Sequence, residues 1–104
     1  MIVTMNDQIP GREIAETLGI ARGNIVRARF VGRDFVAGLR NLVGGEVSEY
    51  TRLLEETRDE AFGRMVTDAE KMGADAIVTF RFSTSTIMEG TSEILAYGTA
   101  VKLK

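Results

Sequence analysis

The 104-residue sequence contains no cysteine, no histidine and no tryptophan, and it has a single proline. The missing cysteines exclude disulfides, a thiol nucleophile and thiolate ligands for zinc. The missing histidines remove the commonest general base and the commonest transition-metal ligand, so Ser-His-Asp and Cys-His arrangements are excluded as well. What remains is an ordinary globular composition, 44% hydrophobic and 27% charged, of a size that predicts one domain over residues 1–104.

Two further absences bear on the location of the protein. No segment approaches the roughly 20 apolar residues that a membrane helix needs. The first residues lack the positive charge and the apolar core of a signal peptide. We therefore expect a cytoplasmic protein without a membrane partner.

The charges nearly balance, with 13 Lys and Arg against 15 Asp and Glu and a net charge of −2. An acidic chain disfavours nucleic-acid binding, which normally needs a basic domain with interleaved aromatic residues. One local basic patch stands out, and its guanidinium groups are weak candidates for binding an anion. The alternative, which we prefer, is that these arginines pair with acids on a long helix, within the chain or across subunits. The patch consists of Arg22, Arg27, Arg29 and Arg33.

The first half of the chain shows alternating and then helical hydrophobic patterns. Alternation predicts strands at residues 2–5 and 13–30, the second being one long strand or a hairpin with a turn or bulge at 22–24. Apolar residues three and four apart predict a short helix from Asp34 to Val43 and a long helix from Glu46 to Met72.

The second half returns to alternation after Gly73, which is expected to end the long helix. We predict a strand over residues 74–84, a polar connector at 83–86, a turn at 88–90 and a last strand over 92–104. The element order is therefore β-β-α-α-β-β. This order predicts an α+β fold in which a mainly antiparallel sheet packs on one long and one short helix.

Two features favour assembly of several subunits. A helix of this length would extend about 40 Å, more than a domain of this size needs. One face of residues 94–100 carries mainly small side chains, which suits a barrel wall or a subunit interface. The residues that we expect to pack between subunits are Leu54, Ala61, Met65 and the Leu95–Leu103 face of the last strand.

Catalytic and metal-binding patterns are weak. Asp75, Glu89 and Glu93 could do acid–base chemistry, but we prefer the interpretation that they are solvated turn and strand-end carboxylates. The same three acids and Asp7 are the oxygen donors available for a hard cation, and they show no EF-hand spacing. We therefore assign no catalytic residue, no metal ligand and no cofactor.

A series of short motifs runs in order through the whole chain. These are Ile9-Pro-Gly, Arg22-Gly-Asn, Gly32-Arg-Asp-Phe, Gly38-Leu-Arg-Asn-Leu-Val-Gly-Gly-Glu46, Gly73-Ala-Asp-Ala and Tyr97-Gly-Thr-Ala-Val-Lys102.

Through these motifs the sequence resembles the YbjQ family, which has no established biochemical function. The resemblance implies a small α+β subunit, similar in general style to dodecin-like subunits, that assembles into a ring-like homopentamer. The family carries a heavy-metal-binding label, and members can have acidic residues along the strand after Gly73-Ala-Asp-Ala. Here residues 79–83 are Thr-Phe-Arg-Phe-Ser, without a carboxylate. The resemblance therefore supports fold and assembly, and it transfers no site residue.

Three functional hypotheses follow. The first is a non-enzymatic homo-oligomer, a pentamer by the resemblance, that binds a small ligand, an ion or a partner at its interfaces. The second is an enzyme with an Asp/Glu–Arg site shared between subunits. The third is a weak anion or nucleic-acid binding module that uses the basic patch.

Overall fold

The structure, a computed structural model, describes residues 1–28 and 48–104, which form four strands and one helix. The sheet has the order β1-β3-β4-β2, with β1 parallel to β3 and the other pairs antiparallel. The predicted α+β class and mainly antiparallel sheet are therefore confirmed, whereas the predicted helix at 34–43 lies outside the described residues. The elements are β1 (Ile2–Val3), β2 (Ile14–Ala28), α1 (Ser48–Lys71), β3 (Ala76–Met88) and β4 (Thr91–Leu103).

β2 is one continuous strand, so the turn or bulge predicted at 22–24 is wrong. Its pairing with β4 is unbroken there, and the register shifts lie nearer the start of β2. Gly23 has another role, because a Cβ at this position would overlap the carbonyl oxygen of Ala61 and the amide nitrogen of Met65. The glycine is needed where the backbone of α1 crosses β2 closely.

α1 is the long helix that the apolar spacing predicts, and its observed bounds fall inside the predicted range. Its 24 residues extend about 36 Å. Gly73 follows with a φ of 81°, and the amides of Gly73 and Ala74 donate to carbonyls in the last turn at 3.0 and 3.1 Å. This is the glycine cap that the sequence predicts. Within the described residues, no helix has the length and apolar character needed to cross a membrane.

The main core lies between α1 and the sheet, and it is built largely from small side chains. The small-residue face of β4 lies beneath α1 of its own chain, not at a barrel wall or a subunit interface as predicted. Ala61 and Met65, which were expected to pack between subunits, are fully buried here, so that prediction is wrong. The buried members are Ala21, Ile25, Ala61, Met65, Ala69, Ile77, Ile94, Ala96 and Ala100.

β3 and β4 form a long antiparallel hairpin. Residues 83–86, predicted to be a polar connector, lie within β3, where Ser83 is opposite Leu95 and Ser85 is opposite Glu93. The polar Ser/Thr run is therefore strand, which is reasonable because threonine is β-branched. The turn follows at 89–90, within the predicted 88–90, and the last strand is confirmed with its bounds shifted by one residue.

A bulge interrupts β3 at residues 78–81. Thr79 there has a φ of 55°, in the left-handed region, and its amide and that of Phe80 donate to carbonyls of the segment 4–6. The ring of Phe80 packs edge-on against Phe62 of α1, with centroids 5.4 Å apart. The bulge thus turns an aromatic side chain toward the helix.

Among the described residues, the face of the sheet turned away from α1 is covered at one end, where Ile9 packs on a small cluster that includes Val101. Side chains alternate between the two faces of a strand, so the residues flanking the helix-facing positions of β2 and β4 lie on this other face. Within the described residues its apolar members are exposed or half-buried. We name this surface the outer sheet face, defined as Ile20, Val26, Leu95 and Tyr97.

Candidate functional site

A groove of about 600 Å³ separates the outer edge of β2 from α1. It forms because β2 is the edge strand and the helix crosses it at a point of close approach at Gly23. Both walls carry charged residues. The groove is lined by Arg22, Gly23, Asn24, Glu60, Gly63, Arg64, Thr67, Asp68 and Lys71.

Two contacts across the groove satisfy the open edge of β2. The amide of Arg22 donates to a carboxylate oxygen of Asp68 at 3.0 Å. The guanidinium of Arg64 donates to the carbonyl oxygen of Asn24 at 3.0 Å. An edge strand presents backbone groups without a strand partner, and charged side chains that bond to them prevent pairing with another chain. Part of the charge in the groove is therefore structural.

An ion pair closes one end of the groove. Arg27 and Glu60 approach to 2.6 Å, with side chains 43% and 48% exposed. A half-exposed pair of this kind contributes at most about 1 kcal/mol. It confirms the expectation that an arginine of the basic patch pairs with an acid of the long helix, and it does so within one chain.

The predicted anion candidates are only partly brought together. Arg22 lines the groove, and Arg27 lies at its end in the ion pair. Arg29 and Arg33 lie outside the described residues.

Two cations of the groove were missed by sequence reasoning. Arg64 and Lys71 are seven residues apart, two turns of α1, and therefore lie on one helix face. The seven-residue spacing could have been recognised in the sequence. Using it to identify the groove would have required knowing that this face of α1 lies against β2 and not against solvent.

The candidate carboxylates are dispersed. Asp75 accepts the amide of Leu103 at 2.9 Å at one end of β4, and Glu93 accepts the side-chain amide of Asn24 at 3.1 Å near the other end. Glu89 is exposed in the β3–β4 turn. Ten residues of strand separate Glu93 from Leu103, about 33 Å, so Glu93 and Asp75 cannot share a substrate within one chain.

The described residues do not fit a heavy-metal site. No group of three His, Cys, Asp or Glu side chains within residues 1–28 and 48–104 is placed to hold an ion. Soft and borderline metals prefer thiolate or imidazole ligands, and the sequence has neither. Of the thioethers, Met65 is fully buried in the core and Met72 packs against it.

Comparisons with known proteins identify the relatives of this chain. The family model YbjQ_1, described as "Putative heavy-metal-binding", matches residues 1–104. A UPF0145 protein of Methanosarcina acetivorans is 57% identical over 99% of this chain and 97% of its own length. A UPF0145 protein of Archaeoglobus fulgidus is 54% identical over 100% of this chain and 96% of its own.

A solved structure with the same fold is found among the matches. It is a protein of unknown function from Pediococcus pentosaceus, assigned to the DUF74 family, with a TM-score of 0.65. The superposition covers 100% of this chain and 98% of that one at 16% sequence identity. At that identity the likeness supports the α+β fold.

Proposed function

Because the chain belongs to the YbjQ family, whose matched relatives are named only as UPF0145 proteins, we propose that it is a non-enzymatic, cytoplasmic subunit of a homo-oligomer. Five is the subunit number that the family resemblance implies, and we adopt it. The assembly binds a small ligand, an ion or a partner where its subunits meet.

Support for assembly comes first from the outer sheet face. Ile20 is 58% exposed and Val26 54% exposed, and half-buried Leu95 and Tyr97 lie on the neighbouring strand between them. Removing apolar surface from water contributes roughly 25 cal/mol per Å². Large apolar side chains that are exposed together on one sheet face, here interspersed with Arg22, Asn24 and Glu93, favour an interaction surface.

The shape of the described part of the chain gives the second support. Residues 1–28 and 48–104 have a radius of gyration of 17.1 Å and extents of 54 × 25 × 16 Å. A compact domain of about 100 residues has a radius of gyration of about 13 Å. The described residues form a sheet with a helix on one face, and a neighbouring subunit against the outer sheet face would add a layer on the other side.

The groove between β2 and α1 supports the ligand-binding part of the proposal. Arg22, Arg64 and Lys71 line it together with two acids, one of which already pairs with Arg27. This excess of positive charge favours an anionic ligand. The same groove places acids beside arginines, so an enzyme with an Asp/Glu–Arg site remains the alternative, and turnover of a screened substrate would favour it.

Native mass spectrometry of protein purified without chelator or added metal tests the assembly. We expect a pentamer, and a fixed additional mass would identify the class of ligand. The variant Ile20→Glu places a charge on the outer sheet face and should shift the distribution to smaller species. Arg52→Glu, at an exposed position of α1 that lies outside the groove and away from that face, should leave it unchanged. A monomeric wild-type protein at micromolar concentration would contradict the proposal.

A further inference from the structure

β3 has an outer edge that is paired only along its first half. β1 and the residues after it bond to β3 through the amide of Thr4 and the carbonyls of Thr4 and Asn6, up to Phe80. Beyond that point no segment of the described residues bonds to the edge. The open part, which we name the β3 edge, is Phe82–Met88, seven residues or about 23 Å long.

Within the described residues, the β3 edge has one feature that normally keeps a strand edge from pairing, a register shift between Thr86 and Met88, and it lacks the others. Its sequence is Phe-Ser-Thr-Ser-Thr-Ile-Met, without charge, proline or glycine. Phe82, Ile87 and Met88 are 41%, 51% and 62% exposed. Edge strands are usually protected by lysine, proline, bulges or covering segments, and a long uncharged edge favours the addition of another strand.

The opposite edge of the sheet is different. β2 carries charged residues along its length, has register shifts near its start, and bonds to Asp68 and Arg64 across the groove. Of the residues that the structure describes, those at the β2 edge protect it along its length, whereas the β3 edge has only the register shift between Thr86 and Met88.

We propose that the β3 edge binds a strand from a second copy of this chain, so that the sheet continues across a subunit boundary. The inference rests on the proposed homo-oligomer and names the surface that it uses. Open backbone groups in strand geometry are satisfied by an extended chain, and main-chain hydrogen bonds would supply the affinity.

A second copy is the favoured partner because the β3 edge is continuous with the outer sheet face. Ser83 lies directly opposite Leu95, and Arg81 opposite Tyr97, in the pairing of β3 with β4. A strand added at the β3 edge would therefore extend the same face that we propose to be covered by a neighbouring subunit. In a ring of five, neighbouring subunits are not related by a two-fold axis, so the added strand would be a different segment from the β3 edge itself.

Lysine substitutions at the edge test the inference. Thr84→Lys and Thr86→Lys, at two exposed positions, should each weaken subunit association at least about tenfold. This is the effect expected when a misplaced charge at the edge costs the pairing about one hydrogen bond. Glu70→Lys, at an exposed position of α1 that lies outside the groove and away from the edge, also introduces a lysine and should leave association unchanged. Native mass spectrometry over a dilution series measures the effect, and circular dichroism confirms that the variants are folded.

Hydrogen exchange on the wild-type protein provides a second measurement that does not depend on a variant folding. In an edge strand, alternate amides point away from the paired neighbour. If the inference is right, the outward amides of Phe82–Met88 are protected in the oligomer. Fast exchange of these amides would overturn it. An oligomer that persists in folded Thr84→Lys and Thr86→Lys but is split by Ile20→Glu would also overturn the inference about the β3 edge. The proposed homo-oligomer would still stand in that case. A monomeric wild-type protein would overturn both.

Discussion

Gly23 and Thr79 are two positions at which the choice of side chain governs the backbone. At Gly23 the absence of a Cβ lets the backbone of α1 approach β2, and the resulting contact forms one wall of the candidate groove. At Thr79 a β-branched residue holds a φ of 55°, in a region that such residues rarely occupy. The first position is optimised for close packing, and the second carries backbone strain within a bulge.

Gly23→Ala should destabilise the protein by about 1–3 kcal/mol, because the added methyl group would overlap backbone atoms of Ala61 and Met65 that cannot move independently of the helix. Gly63→Ala is the matched control. A Cβ at Gly63, an exposed position within α1, meets no atom within 4 Å, so alanine should stabilise the helix by about 0.5–1 kcal/mol. Chemical denaturation of both variants measures the difference, and equal effects would contradict this account of the close approach.

Thr79→Asn should raise the free energy of unfolding by up to about 1 kcal/mol, because asparagine tolerates the left-handed region better than a β-branched residue does. Thr79 is exposed, and the amide that it donates to Asn6 is kept in the variant. Thr99→Asn, in regular conformation on β4, should instead lose stability, because asparagine is unfavourable in strands. Thermal unfolding compares the two, and a lower melting temperature for Thr79→Asn would show that the bulge is not strained.

Among the elements, those with a long and consistent pattern were predictable and those decided by tertiary contacts were not. The apolar stripe and the terminal Gly73 were sufficient to identify α1, and alternation identified β4. Gly23 was mistaken for a turn residue because the neighbouring sequence cannot distinguish a glycine in a turn from a glycine that lets the backbone of a helix pack closely against the strand. The Ser/Thr run of β3 was mistaken for a connector because its strand conformation depends on pairing with β4.

The candidate site followed the same division. Arg22 and Arg27 were identified from their clustering in sequence, and the pairing of Arg27 with an acid of the long helix was anticipated. Glu60 and Arg64 are four residues apart along α1, the spacing of an ion pair within a helix. In the structure each of these two residues instead contacts β2. A preference of a few tenths of a kcal/mol for a pair within a helix does not decide between partners when a strand edge with open backbone groups lies alongside.

At the scale of the whole molecule, the two faces of the sheet have different roles. The face beneath α1 is filled by small side chains from β4 and by Ala61, Met65 and Ala69 of the helix, all fully buried. The other face keeps exposed Ile20 and Val26. The long helix and the small-residue face, which both suggested contacts between subunits, serve the fold of one chain, so support for assembly moves to the outer sheet face and the β3 edge.

A pair of glutamate substitutions separates folding from assembly. Ala61→Glu places a carboxylate in the fully buried core between α1 and the sheet, without a partner, and should destabilise the chain by more than about 3 kcal/mol. We therefore expect it to lose its circular dichroism signal or its cooperative unfolding, whatever the concentration. Ile20→Glu adds the same group at a position that is 58% exposed, and it should remain folded while its oligomer dissociates on dilution. A folded, monomeric Ala61→Glu would place this helix face between subunits after all, since a chain that folds alone with that charge cannot bury it in the core.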